Sequence, residues 1–315
     1  MKLAVGAGLL IFLIRRIELA EVLRTIAEAD GWLLASALAV SALASVFEVA
    51  KFRAACHFRI PYRDSTSLVF IGLFLNNFLP SNIGGDGYKL WALRRRSLSG
   101  QAAFAYIVSD RVTGLLSLVL LGGAGFLTAM GSGSAGLLDG VRLNLGKRWI
   151  PIAGALALGV ALLALILGLQ PDLRKRVRAW AVKFAAAGRL YLSVPALPTL
   201  AYSLLLHLCR GFALWLICRA TGFPVSLSAI LQILMLVALV STIPITLGGL
   251  GLREGALAFL LRRCGMSPEA AIAAALISLA VLWLKSLVGA AFFVMERNTG
   301  AGKGLFVDDP GTEPL

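Results

Sequence analysis

A ten-residue phrase that breaks helices occurs twice in this chain, each time inside an apolar stretch. Pro80–Lys89 reads PSNIGGDGYK and Pro244–Arg253 reads PITLGGLGLR, 164 residues apart. Both fit P-x-x-[I/L]-G-G-x-G-[Y/L]-[K/R]. Proline removes a helix hydrogen bond, and each interior glycine costs about 1 kcal/mol against alanine. Two such breaks at matching points of a duplicated chain predict discontinuous helices. In membrane proteins, paired broken segments mark a transport site.

Composition supplies the membrane. Hydrophobic residues make up 59% of 315 positions and charged residues 15%, with a mean hydropathy of +0.86. A soluble domain of that composition would expose large apolar patches. The expected fold is an all-α integral membrane protein of about 6–8 segments, each full span needing about 20 apolar residues. Full spans are expected at Trp32–Ala50, Ala102–Met130, Ile150–Leu169, Leu197–Ala220 and Ala270–Val294. The run Leu3–Ile14 is short, and Arg15-Arg16 follow it where a cleavage site would stand, so it reads as an uncleaved anchor or as a span whose start codon is placed too late. Ile17–Asp30 alternates apolar and charged residues as an interfacial helix does.

The 164-residue offset carries 32–50 onto 196–214, 65–96 onto 229–260 and 102–130 onto 266–294, each onto an element of the same kind. The resulting organisation is an anchor and interfacial helix over 1–30, then repeat A over 31–130 with a re-entrant hairpin at 65–96. A connector span and basic loop over 131–195 follow, then repeat B over 196–295 with a re-entrant hairpin at 226–263, and a tail over 296–315. The odd connector inverts the second repeat. Placing the basic clusters 51–63, 89–96 and 174–189 in the cytoplasm leaves the larger share of the 30 Lys and Arg inside, with the C-terminus cytoplasmic. The net charge of +14 is therefore read as topology and headgroup attraction, with no nucleic-acid partner. Four scattered cysteines without a C-x-x-C read as small apolar fillers.

Polar residues inside lipid are costly and each needs a role. Asp110 and Arg111, adjacent in their span, point to different neighbours and line either a cavity wall or an interhelical ion pair. Asn76, Asn77, Ser81, Asn82 and Asp86 crowd the first break, where amides satisfy unwound backbone. Pro80 and Pro244 set the two breaks. Free amides at Gly84, Gly85 and Gly87 with Lys89, and at Gly248, Gly249 and Gly251 with Arg253, would hold a phosphate at each break. Asp86 and Glu254 oppose an anion, which keeps a zwitterionic or cationic headgroup open. His207 and Arg210 share one helical face, as Glu48 and Lys51 do in the matching element. Lys285 either snorkels or neutralises Asp110 or Glu254. No metal, cofactor or catalytic constellation is expected from these residues, since the chain has two histidines and its intramembrane acids stand apart.

Three stretches taken together, NNFLPSNIGGDGYKLWALRRR (76–96), SDRVTGLLSLVLL (109–121) and PITLGGLGLREGALAFLL (244–261), carry a family resemblance. From about Arg15 to Met295 the chain resembles the lysylphosphatidylglycerol synthase transmembrane-region proteins, also called flippase-like or UPF0104 proteins. The resemblance implies two inverted repeats that move lipids between leaflets of a bacterial-type cytoplasmic membrane. It also implies membrane phospholipids as partners, aminoacylated phosphatidylglycerol or a polyprenyl-linked lipid among them. Full-length synthases add a soluble aminoacyltransferase domain, and the tail NTGAGKGLFVDDPGTEPL carries no core for one. The alternatives are an accessory subunit of a lipid, hopanoid or envelope-glycan assembly system, a lipid-modifying membrane enzyme, and, for assembly, a homo-oligomer or a lipid-biosynthesis partner.

Overall fold

The computed structural model describes residues 19–57, 60–78, 83–95, 100–132, 196–241 and 251–298. The expected anchor, the connector span 150–169, the basic loop 174–189 and the tail beyond Asn298 lie outside the described residues, as do Pro80, Pro244, Gly248 and Gly249. All regular structure among the described residues is helical.

A short amphipathic helix, α1 (Leu19–Ala27), leads in. It buries Val22 and turns Leu23 outward, and Arg24 pairs with Glu28 at 2.7 Å on its polar side. Four helices follow: α2 (Gly31–Ala55), α3 (Tyr62–Phe78), α4 (Ile83–Arg95) and α5 (Gly100–Ser132). After the undescribed middle come α6 (Ala196–Ala220), α7 (Leu227–Ser241), α8 (Leu252–Arg263) and α9 (Pro268–Asn298). The second four repeat the first in order and closely in length, at 25, 15, 12 and 31 residues against 25, 17, 13 and 33. Among the described residues four helices, α2, α5, α6 and α9, are long and apolar enough to cross a membrane. The paired helices α3/α4 and α7/α8 are individually shorter, about 18–26 Å at 1.5 Å per residue.

Local chemistry sets the ends. Asp30 caps α2 by accepting from the amides of Trp32 at 2.8 Å and Leu33 at 3.2 Å. Hydropathy alone would stop α2 at Ala50, but the helix runs on through Lys51 and Arg53 to Ala55. Both charges find partners there: Lys51 on Asp110, and Arg53 on the Ile60 carbonyl at 3.1 Å and over the Tyr62 ring. Gly251, at φ 81°, supplies the left-handed residue that opens α8.

The most extensive pairing is α2 against α6, which run antiparallel: the Asp30 amide donates to the Ala220 carbonyl at one end. Around this pair α5 packs on α7 and α9 packs on α3. Two apolar cores result. One gathers the start of α2, the end of α6, and α7, α8 and early α9, with Ile217, Ile230, Ile233 and Leu261 at its centre. The other gathers the end of α2, α3, α4 and early α5, with Phe52, Leu68, Ile71 and Leu93. Outward faces of α5 and α9 expose Leu116, Leu120, Leu127, Leu284, Leu287 and Val294. An aliphatic exterior around apolar spans is what lipid solvates.

Candidate functional site

Charged side chains converge between the two cores. Glu48 and Lys51 lie one turn apart on α2. The Lys51 ammonium lies 3.0 Å from the Asp110 carboxylate of α5 and donates to its backbone carbonyl at 2.7 Å. Arg210 of α6 reaches Glu48 at 3.0 Å, which ties the second set of helices to the first. Arg111 donates twice to one Asp86 oxygen, from Nε at 2.9 Å and from Nη2 at 2.7 Å. Arg253 pairs with its neighbour Glu254 at 3.1 Å.

The expected divergence of Asp110 and Arg111 holds, since one meets α2 and the other α4. Both pairs stay within α2–α5, and among the described residues the ion pair that bridges the two sets is Arg210–Glu48. Lys285 neutralises neither Asp110 nor Glu254, each of which already has a partner. His207 is buried one turn before Arg210, in the field of Glu48, Lys51 and Asp110. Lys89 lays its ammonium over the Phe52 ring, 5.0 Å from the centroid. Among the described residues, Lys89 and Lys285 have no ion-pair partner.

The broken hairpin α3/α4 is closed by its own amides. Asn76 accepts from the Gly85 amide at 2.8 Å, and Asn77 donates to Ser286 of α9 at 3.0 Å. The expectation of a free Gly85 amide therefore fails, because the Asn76 side chain occupies it. At the second break the Gly251 amide donates to Glu254 at 2.8 Å and is taken in the same way. Gly84 and Asp86 sit in the first two turns of α4. Gly85 is where α4 presses on α3: a Cβ there would overlap the Gly72 carbonyl and come within 2.8 Å of Asn76.

Sequence reading missed two polar contacts. Glu296 of α9 accepts from Ser67 of α3 at 2.7 Å and from the Tyr88 hydroxyl of α4. Ser117 and Ser203 place their hydroxyls 2.8 Å apart where α5 meets α6, and Ser203 also donates to the Thr113 carbonyl at 3.2 Å. Ser117 stands seven residues after Asp110, on the same face of its helix, and that spacing is the signal the sequence carries.

The four apolar helices agree with what sequence comparison finds. The family model for the lysylphosphatidylglycerol synthase TM region matches residues 1–289. The chain belongs to this family. A UPF0104 membrane protein of Methanothermobacter thermautotrophicus is 26% identical over 261 residues, covering 71% of this chain and 72% of that protein. All the helices and polar contacts described above fall within the matched residues except those of α9 beyond Gly289, Glu296 among them.

Proposed function

We propose that this protein moves a lipid between the leaflets of the cytoplasmic membrane, as two inverted repeats that share one charged seam and make or break no covalent bond. The observation that carries the reading is the Arg210–Glu48 pair between α6 and α2. It joins two matching helices that are each long and apolar enough to cross a membrane, where an unassigned charge is expensive. A like spacing of contacts supports the repeats, with the receiving residues offset by 164 positions and the received ones by 158. Gly122 and Gly125 of α5 receive Met235 and Ser228 of α7, and Ser286 and Gly289, 164 residues later on α9, receive Asn77 and Phe70 of α3. In each case the two receiving residues stand three apart and the two received residues seven apart. A second, inverted copy of one packing solution has this form. Each hairpin then enters and leaves on one face, the C-terminus is cytoplasmic, and the headgroup crosses through the seam while the acyl chains stay in the bilayer.

Reconstitution tests this. Vesicles containing the protein should exchange fluorescent phosphatidylglycerol, phosphatidylethanolamine or a polyprenyl phosphate between leaflets faster than protein-free vesicles, and Glu48→Gln should slow the exchange. Folded protein that accelerates none of them would defeat the transport reading and favour an accessory subunit.

A further inference from the structure

Arg111 is turned away from the buried side of its helix. Ser109, Thr113 and Ser117 of α5 are buried, whereas Val112, Leu115, Leu116, Val119 and Leu120 form its exposed aliphatic face. Arg111 lies on that outer face, with its side chain 50% exposed. It is also deep. The apolar run of α5 spans Ala102–Ala129, and Arg111 stands about 7 Å from its middle at 1.5 Å per residue. A guanidinium turned toward hydrocarbon at that depth is costly, so polar matter has to meet it there.

Asp86 of α4 meets it in part. Both hydrogen bonds that Arg111 donates to this carboxylate end on Oδ2, at 2.9 and 2.7 Å, and Oδ1 accepts from no described residue. The Asp86 side chain is 22% exposed, and an added Cβ on the next residue, Gly87, would meet nothing within 4 Å. The pair therefore presents a cation and an unfilled acceptor side by side, at an open place on the outer side of α4 and α5.

A headgroup carrying both charges fits such a place. A phosphodiester offers oxygens to a guanidinium, and a primary ammonium has donors for a carboxylate oxygen. The short ethanolamine linker keeps those two groups adjacent, as the ion pair keeps its own. An anionic headgroup would meet the Asp86 charge, and a quaternary choline has no N–H to give Oδ1. We propose that Arg111 and Asp86 form a lateral docking site for a zwitterionic phospholipid bearing a primary amine, of the phosphatidylethanolamine type, with its acyl chains along Val112, Leu116 and Leu120. This deepens the transport reading by naming the lipid and the side from which it enters, and rests on that reading for entry alone. The binding preference stands apart from transport.

Binding and exchange are measured on the same full-length protein. Delipidated protein in detergent is titrated with phosphatidylethanolamine, phosphatidylcholine and phosphatidylglycerol of identical chains, and native mass spectrometry counts the lipids bound. The first phosphatidylethanolamine should bind about tenfold tighter than either of the others, the scale of one charge-assisted contact. Asp86→Asn should bring phosphatidylethanolamine to the level of phosphatidylcholine. Arg111→Gln should weaken phosphatidylethanolamine by about as much, and Arg24→Gln on the exposed face of α1 should leave the preference unchanged. Equal affinity of the wild-type protein for phosphatidylethanolamine and phosphatidylcholine overturns the site without recourse to any variant. So does a preference that survives Asp86→Asn, and so does tightest binding of phosphatidylglycerol. A preference lost in Asp86→Asn, without leaflet exchange by the wild-type protein, supports the site and defeats transport. Leaflet exchange without headgroup preference does the reverse.

Discussion

At Lys51 the side chain is 7% exposed, and its ammonium meets both the carboxylate and the backbone carbonyl of Asp110. Desolvating this pair is expensive, so its value to the fold lies in neither charge being left alone. Asp110→Asn should therefore destabilise the protein by about 3 kcal/mol, read as a lower apparent melting temperature in micelles. The double substitution Lys51→Met with Asp110→Leu should recover most of that loss, because it removes both charges together. If the double variant is no better than Asp110→Asn, the pair is not what holds α2 to α5 there. Arg111–Asp86 is the contrast, since the Arg111 side chain is 50% exposed. Screening reduces such a pair to about 1 kcal/mol or less, and Arg111→Gln should barely move the melting temperature.

Helices carry the next level of specificity, and their positions were largely written in the apolar runs. Trp32–Ala50, Ala102–Met130, Leu197–Ala220 and Ala270–Val294 all fall inside α2, α5, α6 and α9. The glycine phrases foretold a pair of short helices at each phrase, α3 with α4 and α7 with α8. The partners of the charges were not legible. Glu48 and Arg210 are 162 residues apart, and which turn of α2 faces which turn of α6 depends on packing that no local pattern encodes. The same holds for Glu296, which reads as a span-end charge until Ser67 and Tyr88 are seen to close on it. Gly85 and Gly87 show how far a motif alone can mislead. Both belong to the phrase, yet a Cβ on Gly87 meets nothing within 4 Å while one on Gly85 overlaps α3. Gly85→Ala should destabilise by about 2 kcal/mol through overpacking. Gly87→Ala should be neutral or stabilise by up to about 1 kcal/mol, since alanine suits a helix better. Thermal melts of the two variants side by side separate the structural glycine from the permissive one.

For the whole molecule, the question is whether the two sets of helices move against each other. Besides α2 on α6, they meet where Ser117 of α5 faces Ser203 of α6, a fully buried contact with the hydroxyls 2.8 Å apart. That separation suits side chains whose Cβ atoms can be bridged by a disulfide. A protein with Ser117→Cys and Ser203→Cys, and with Cys209 and Cys218 replaced by alanine, should cross-link on oxidation. The remaining native thiols belong to other contacts, Cys56 to the core at the end of α2 and Cys264 packed against the other core. Alternating access about the Arg210–Glu48 seam requires α5 and α6 to change their contact. The oxidised protein should then exchange lipid no faster than protein-free vesicles, and reduction should restore the rate. Undiminished exchange by fully cross-linked protein would place the moving boundary elsewhere. The two candidates left would be α5 on α7 and α9 on α3, whose small-residue notches would have to open, and a disulfide across either would then be the one that stops transport.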